Sequence, residues 1–190
     1  MNKDVVLLLA IRWLKFIFAG CITLLFRLIT PLVGWSNVSL LMATQFAGSV
    51  AFGPWVAGLY GSLSMFLLDA FMGALGPWTI ATSICQGIVG VVGGYYLARR
   101  STDRQRFWSS TQRFLTASIV GTLFFDLVTG VLLAPLYHTP MSVAAIGQVP
   151  FTARHLVGNM IFATMAPWFT ERFMKNLSLE ARVLGFAPHP

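Results

Sequence analysis

Trp78-Thr-Ile-Ala-Thr-Ser-Ile-Cys85-Gln86-Gly-Ile-Val-Gly-Val-Val-Gly-Gly-Tyr-Tyr-Leu-Ala98, followed at once by Arg99-Arg100-Ser-Thr-Asp103-Arg104-Gln-Arg106, decides the fold class. The first part holds no charged residue, and as an α-helix it reaches about 31 Å at ~1.5 Å per residue. That matches the ~30 Å of hydrocarbon in a bilayer. The second part is a block of arginines, the composition that keeps a short loop on the cytoplasmic side.

The rest of the chain obeys the same arithmetic. Of 190 residues, 56% are hydrophobic and 10% are charged, and the mean hydropathy is +0.74. A soluble globule needs roughly a quarter of its residues charged. These values exclude a nucleotide-binding domain, an extramembrane catalytic domain and a disordered or collagen-like chain. Apolar runs between Gly and Pro breakers predict a single domain, 1–190, with spans at about 13–33, 38–52, 54–71, 78–98, 114–133 and 151–174. The fold class expected is an all-α integral membrane protein, a bundle of six transmembrane helices.

Charge fixes the expected topology. The loop 99–113 carries five arginines and one aspartate, so it is expected in the cytoplasm. Counting outward puts both termini there as well, beside Lys3, Arg12, Lys15, Arg172, Lys175 and Arg182, whereas 34–37, 72–77 and 134–150 contain no Lys or Arg. This is an N-in/C-in, multi-pass protein of the cell membrane. The net charge of +7 is therefore a topology signal rather than a nucleic-acid footprint. Cys21 and Cys85 lack metal-ligand spacing and read as small core residues. Arg12 and Lys15 interrupt the apolar stretch a signal peptide would need before Ala19-Gly20-Cys21, so an uncleaved first helix is expected.

Ionisable side chains in hydrocarbon cost at least ~2.5 kcal/mol each, so those present are expected to face protein or a cavity. By helix counting these and two polar amides share the outer half: Asp69 in span three, the amide Gln86 in span four, Asp126 in span five, and Arg154, His155 and the amide Asn159 in span six. His155 and Asn159 are one turn apart and share a face. Trp78 and Thr79 open span four, and Gln148 lies in the outer loop. The set suits a small-molecule site open to the outside, with Trp78 as a stacking wall. Two carboxylates beside aromatics would favour a cationic or amine-bearing heterocycle. The same residues also fit a purely structural reading, with Asp69 or Asp126 paired to Arg27 or Arg154 and with His155 and Asn159 bridging helices. Asp69 to Gly73 and Asp126 to Gly130 repeat an Asp-x-x-x-Gly pattern, a faint internal echo. Small residues, Ala43, Ala47 and Ala51 in span two and Gly87, Gly90, Gly93 and Gly94 in span four, give faces for close helix approach. No zinc helix, nucleophile elbow, phosphate loop or paired-Asp magnesium motif occurs, so no enzyme, metal or cofactor is expected.

Several of these stretches together resemble a known group. Asn37-Val-Ser, Phe52-Gly53-Pro54, Phe71-Met-Gly73-Ala-Leu-Gly76-Pro77-Trp78-Thr79, Gln86-Gly87 and Gly90 are similar to the S components of energy-coupling factor (ECF) vitamin transporters. Pro150-Phe151-Thr-Ala-Arg-His155-Leu-Val-Gly158-Asn159 is similar to the start of the sixth helix in one branch of that family. The resemblance covers about 37–165. It implies a substrate-binding component of an ABC importer that captures a vitamin or related micronutrient outside and delivers it inward with a T subunit and two ATPase subunits. It also implies that Trp78 and Thr79 lie in the loop and helix start that face substrate, and that His155 and Asn159 lie in the outer part of helix six. Span one lacks the Ala-x-x-x-Ala motif common in the family's first helix. The alternative that the residues leave open is a membrane scaffold or assembly protein with no small-molecule substrate.

Overall fold

The computed structural model describes residues 3–33, 39–98 and 107–183. Among them every regular element is helical: α1 (Lys3–Ile29), α2 (Leu41–Phe52), α3 (Pro54–Phe71), α4 (Pro77–Ala98), α5 (Phe107–Asp126) and α6 (Met141–Val183). A 3-10 turn, Thr30–Val33, extends α1, a π-helical stretch, Leu127–Leu132, extends α5, and a second 3-10 turn, Ala134–Tyr137, follows it. Three segments are long and apolar enough to cross a membrane, Leu9–Ile29, Pro77–Ala98 and Ser110–Leu132, and α2 is a shorter apolar helix.

The breakers act where their chemistry requires. Gly53 adopts φ +100° and ψ 165°, which a side chain would disfavour, and Pro54 opens α3 at a position whose N–H would be unpaired anyway. Gly73 ends α3 at φ +66°, where the Ala74 N–H folds back to the Asp69 carbonyl at 2.8 Å. At the start of α2 the Ser39 hydroxyl accepts the Leu41 N–H at 2.9 Å.

Helix bounds differ from expectation in three helices. α1 begins at Lys3 instead of 13, so the lead-in to the first span is helical too. α5 begins at Phe107, so 107–113 is helix rather than part of the basic loop; residues 99–106 of that loop lie outside the described residues. α6 begins at Met141 instead of 151 and runs 43 residues, with Pro150 and Pro167 inside it. Its length, about 65 Å, is twice a hydrocarbon layer. Proline removes one N–H donor and bends a helix without having to end it, which is why a boundary read at Pro150 fell too late.

The core is built on α2, which is buried along nearly its whole length. α3 and α4 pair most extensively, α5 and α6 next, and α2 fills the space among them. Phe46, Met65, Val89, Phe114, Phe125 and Ala163 meet in its centre. α1 is peripheral: Phe16, Ala19 and Thr23 face inward while Leu14, Ile17, Phe18 and Leu25 are exposed. Cys21 lies on that exposed side, which corrects its reading as a core residue; one-sided packing of α1 is the reason. Cys85 is buried as expected. Trp55, Ile80, Val92, Val120 and Ile161 add to an exterior apolar over several helices, a surface suited to lipid rather than water.

Candidate functional site

Two helices set the geometry. α5 presents Thr122 and Asp126 one turn apart, and α6 presents His155 and Asn159 with the same spacing. The helices pack antiparallel, so the pairs meet as rungs. His155 Nδ1 lies 2.9 Å from Asp126 Oδ1. One turn along, Asn159 Nδ2 donates to Thr122 Oγ1 at 2.8 Å. The Met42 sulfur of α2 caps the lower rung, 3.4 Å from the Thr122 hydroxyl and 3.5 Å from Asn159 Nδ2. All four polar side chains are buried; Asp126 is 1% exposed and Asn159 2%.

Aromatic rings enclose the upper rung. Phe125 and Phe151 stand edge-on to His155, with centroids 6.1 and 5.8 Å away. The π-helical turn begins immediately after Asp126, and its Thr129 is buried, donating to the Phe125 carbonyl at 2.7 Å. Single π turns recur at functional sites, where an irregular backbone re-aims side chains. Gln148 leans on the same turn: a Cβ at Gly130 would collide with its carboxamide. Its Nε2 donates weakly to Thr152 at 3.4 Å.

Other expected site residues form separate groups. Asp69 Oδ2 accepts the Thr79 hydroxyl at 2.7 Å, and the same hydroxyl oxygen accepts the Gly76 N–H at 3.2 Å. This pairing ties the end of α3 to the start of α4. Arg27 of α1 lies within electrostatic reach of Asp69. Trp78 is 39% exposed and meets Tyr137 edge-on at 5.6 Å. Gln86 is engaged elsewhere: its Nε2 donates to Gln45 Oε1 at 2.7 Å, while Gln45 Nε2 donates to the carbonyls of Gln86 and Ala57, each at 3.0 Å. That amide pair clamps α2, α3 and α4. Arg154 is exposed, because adjacent helical residues point about 100° apart. The two carboxylates thus have different partners, and Asp126 meets a histidine rather than Arg27 or Arg154.

Sequence reasoning passed over Thr122, Met42, Gln45, Phe125, Phe151 and Tyr137. For Thr122 a signal existed, its position four residues before Asp126 on the same face. Gln45 sits within an Ala-rich face that reads as simple packing.

Two apolar grooves lie apart from these groups. One, of ≈ 320 Å³, runs between α4 and α5 beside Val92, Val120 and Phe124. The other, of ≈ 350 Å³, runs among α1, α2 and α6 beside Phe18, Ala43 and Phe162. Neither is lined by a candidate site residue. Their walls suit acyl chains, whereas the hydrogen-bonding groups sit inside the bundle. Among the described residues no group of three His, Cys, Asp or Glu could hold a metal.

The chain matches the family described as ECF-type riboflavin transporter, S component, over residues 15–170. No curated protein and no solved structure gives a match. The matched segment takes in all of α2 to α5 and both rungs of the α5–α6 pair. This chain therefore belongs to the family of ECF-type riboflavin transporter S components, membrane-embedded proteins of vitamin transport.

Proposed function

We propose that this protein binds riboflavin, or a close flavin relative, from outside the cell and delivers it inward with a T subunit and two ATPases. In this reading six spans cross the cell membrane with both termini in the cytoplasm. The Asp126, His155 and Asn159 group then sits in the outer half. One observation carries the site: a carboxylate, an imidazole and an amide are held together inside an apolar bundle with two phenylalanine rings against the imidazole. Grouping such polar side chains in hydrocarbon is expensive, and their mixture of acceptors, donors and ring faces is what a planar heterocycle requires. Isoalloxazine offers both an apolar ring edge and an edge of alternating carbonyl and N–H groups. With the second carboxylate, Asp69, bound to Thr79, a neutral ring fits the site better than a cation.

The site is closed from solvent in this conformation, so entry requires movement. The segment Met141–Val149 precedes Pro150 and covers the π turn through Gln148, which makes it the natural element to lift. The Gln45 and Gln86 clamp favours a structural role for those two amides, separate from the ligand.

The test is direct. Purified protein in detergent is titrated into riboflavin while flavin fluorescence is followed. Saturable quenching that is weakened at least tenfold by Asp126→Ala supports the reading. No quenching by the wild-type protein, with a well-folded thermal profile, overturns it. For partners, co-expression with a T subunit and its ATPases should give a complex that survives purification.

A further inference from the structure

The second oxygen of Asp126 is left unused by the fold. Oδ1 faces His155 Nδ1 at 2.9 Å, but Oδ2 is buried and has no hydrogen-bond partner. A carboxylate oxygen offers two acceptor positions, and a stranded anionic acceptor is among the most unfavourable atoms to bury. The neighbouring hydroxyl and amide donors are spent elsewhere, and the buried Cys85 thiol, within electrostatic reach of Asp126, makes no hydrogen bond to it. The Thr122 hydroxyl donates to the Ser118 carbonyl at 2.7 Å, the Thr129 hydroxyl to the Phe125 carbonyl at 2.7 Å, and the Asn159 amide to Thr122. His155 is flanked by Phe125 and Phe151 and is already spent on Oδ1. Folding thus commits these hydroxyl and amide donors to other acceptors while leaving one strong acceptor open, on the carboxylate whose imidazole partner two phenylalanine rings flank.

We propose that Asp126 Oδ2 accepts a hydrogen bond from a ring N–H of the bound ligand, the imide N–H of isoalloxazine, and that this contact selects against ring-N-alkylated analogues. The inference rests on the flavin reading given above. The phenylalanine rings favour the planar part of the ligand at this level, so the donor that meets Oδ2 belongs to the ring rather than to the polyhydroxyl chain. The proton stays on the ligand nitrogen; the carboxylate only accepts. His155 acts as a positioning residue, fixing the carboxylate so that Oδ2 is presented and Oδ1 is not. A buried acceptor left facing a methyl group loses both its hydrogen bond and its solvation, which gives discrimination far stronger than shape alone.

The experiment compares riboflavin with its N3-methyl derivative by fluorescence titration of the purified wild-type protein and of Asp126→Ala. The wild type should prefer riboflavin by about tenfold or more, and Asp126→Ala should bind both weakly with a ratio near one. Arg154→Ala, on the exposed side of α6, should keep the wild-type ratio. If Asp126→Ala does not fold, Asp126→Asn serves, because a neutral acceptor makes a bond roughly half as strong as a charged one and the ratio should fall. Equal wild-type affinity for the two compounds overturns the contact while leaving riboflavin binding intact. An unchanged ratio in the Asp126 variant does the same. Failure of the wild type to bind either compound brings down the contact and the flavin reading together.

Discussion

Asn159 donates to Thr122 at 2.8 Å one helical turn away from the rung where His155 meets Asp126, so the α5–α6 interface is a short antiparallel ladder of polar pairs inside an apolar core. The lower rung is neutral and sealed by Met42; the upper is ionisable and walled by aromatic rings. That division separates a part that holds the helices together from a part that has chemistry to spare.

The lower rung gives a measurable stability term. Thr122→Val keeps the shape but removes the oxygen that Asn159 uses, stranding a buried amide. Interhelical hydrogen bonds of this kind contribute about 0.6 kcal/mol and at most ~1.7 kcal/mol in membrane bundles. At ~2–4 °C per kcal/mol for a chain of this size, the melting temperature in detergent should fall by a few degrees, and Thr122→Ser should restore most of it. A Thr122→Val protein as stable as wild type would mean that Asn159 finds another partner.

How far the sequence alone reaches is visible in these same residues. Helix existence was legible because uncharged runs such as 78–98 have one physical solution in hydrocarbon. The convergence of Asp126, His155 and Asn159 was legible because polar side chains cannot face lipid, and because positions four apart share a helical face. The partition among polar groups was not. Gln86 and Asp69 sit at similar heights to Asp126, but height does not determine azimuth, and whether Gln86 meets Gln45 or a ligand depends on how α2 is rotated between α3 and α4. The 43-residue length of α6 was hidden because Pro150 looks like a start signal whether a helix begins there or merely bends. Cys21 was misjudged since an apolar helix in a membrane protein need bury only one stripe.

The amide clamp makes a prediction about coupling. Gln45→Leu or Gln86→Leu alone leaves the other carboxamide buried without its partner, costing about 1–3 kcal/mol. The double substitution removes both polar groups and should be less destabilising than the two singles added together, by about 1 kcal/mol. Thermal unfolding of the four proteins measures this directly. Riboflavin affinity of the double variant should stay within about twofold of wild type; a larger loss would return Gln86 to the ligand site.

Close approach of α3 and α4 gives a steric prediction. A Cβ at Gly90 would fall 2.6 Å from the Ala57 carbonyl oxygen and also strike the Gln45 carboxamide. Because backbone cannot step aside as a flexible side chain does, Gly90→Ala should destabilise by about 1–3 kcal/mol. At Gly76 a Cβ would meet nothing within 4 Å, and Gly76→Ala should be nearly neutral. Equal melting temperatures for the two variants would show that α3 and α4 are further apart than described.

His155 and Arg154 are adjacent in sequence, and only their azimuth on α6 separates them. His155 is buried against Asp126, and Arg154 is exposed. Removing the imidazole leaves both oxygens of the buried Asp126 without a hydrogen-bond partner, which costs about 1–3 kcal/mol, so His155→Ala should lower the melting temperature by several degrees. It should also weaken riboflavin binding by more than tenfold, since Asp126 loses the group that orients it. His155→Gln keeps a donor in reach of Oδ1 and should recover part of both losses. Arg154→Ala should shift stability by no more than about 0.5 kcal/mol and leave affinity unchanged. If Arg154→Ala abolished binding while His155→Ala did not, the ligand would lie on the opposite side of α6, and the ladder would be a helix lock alone.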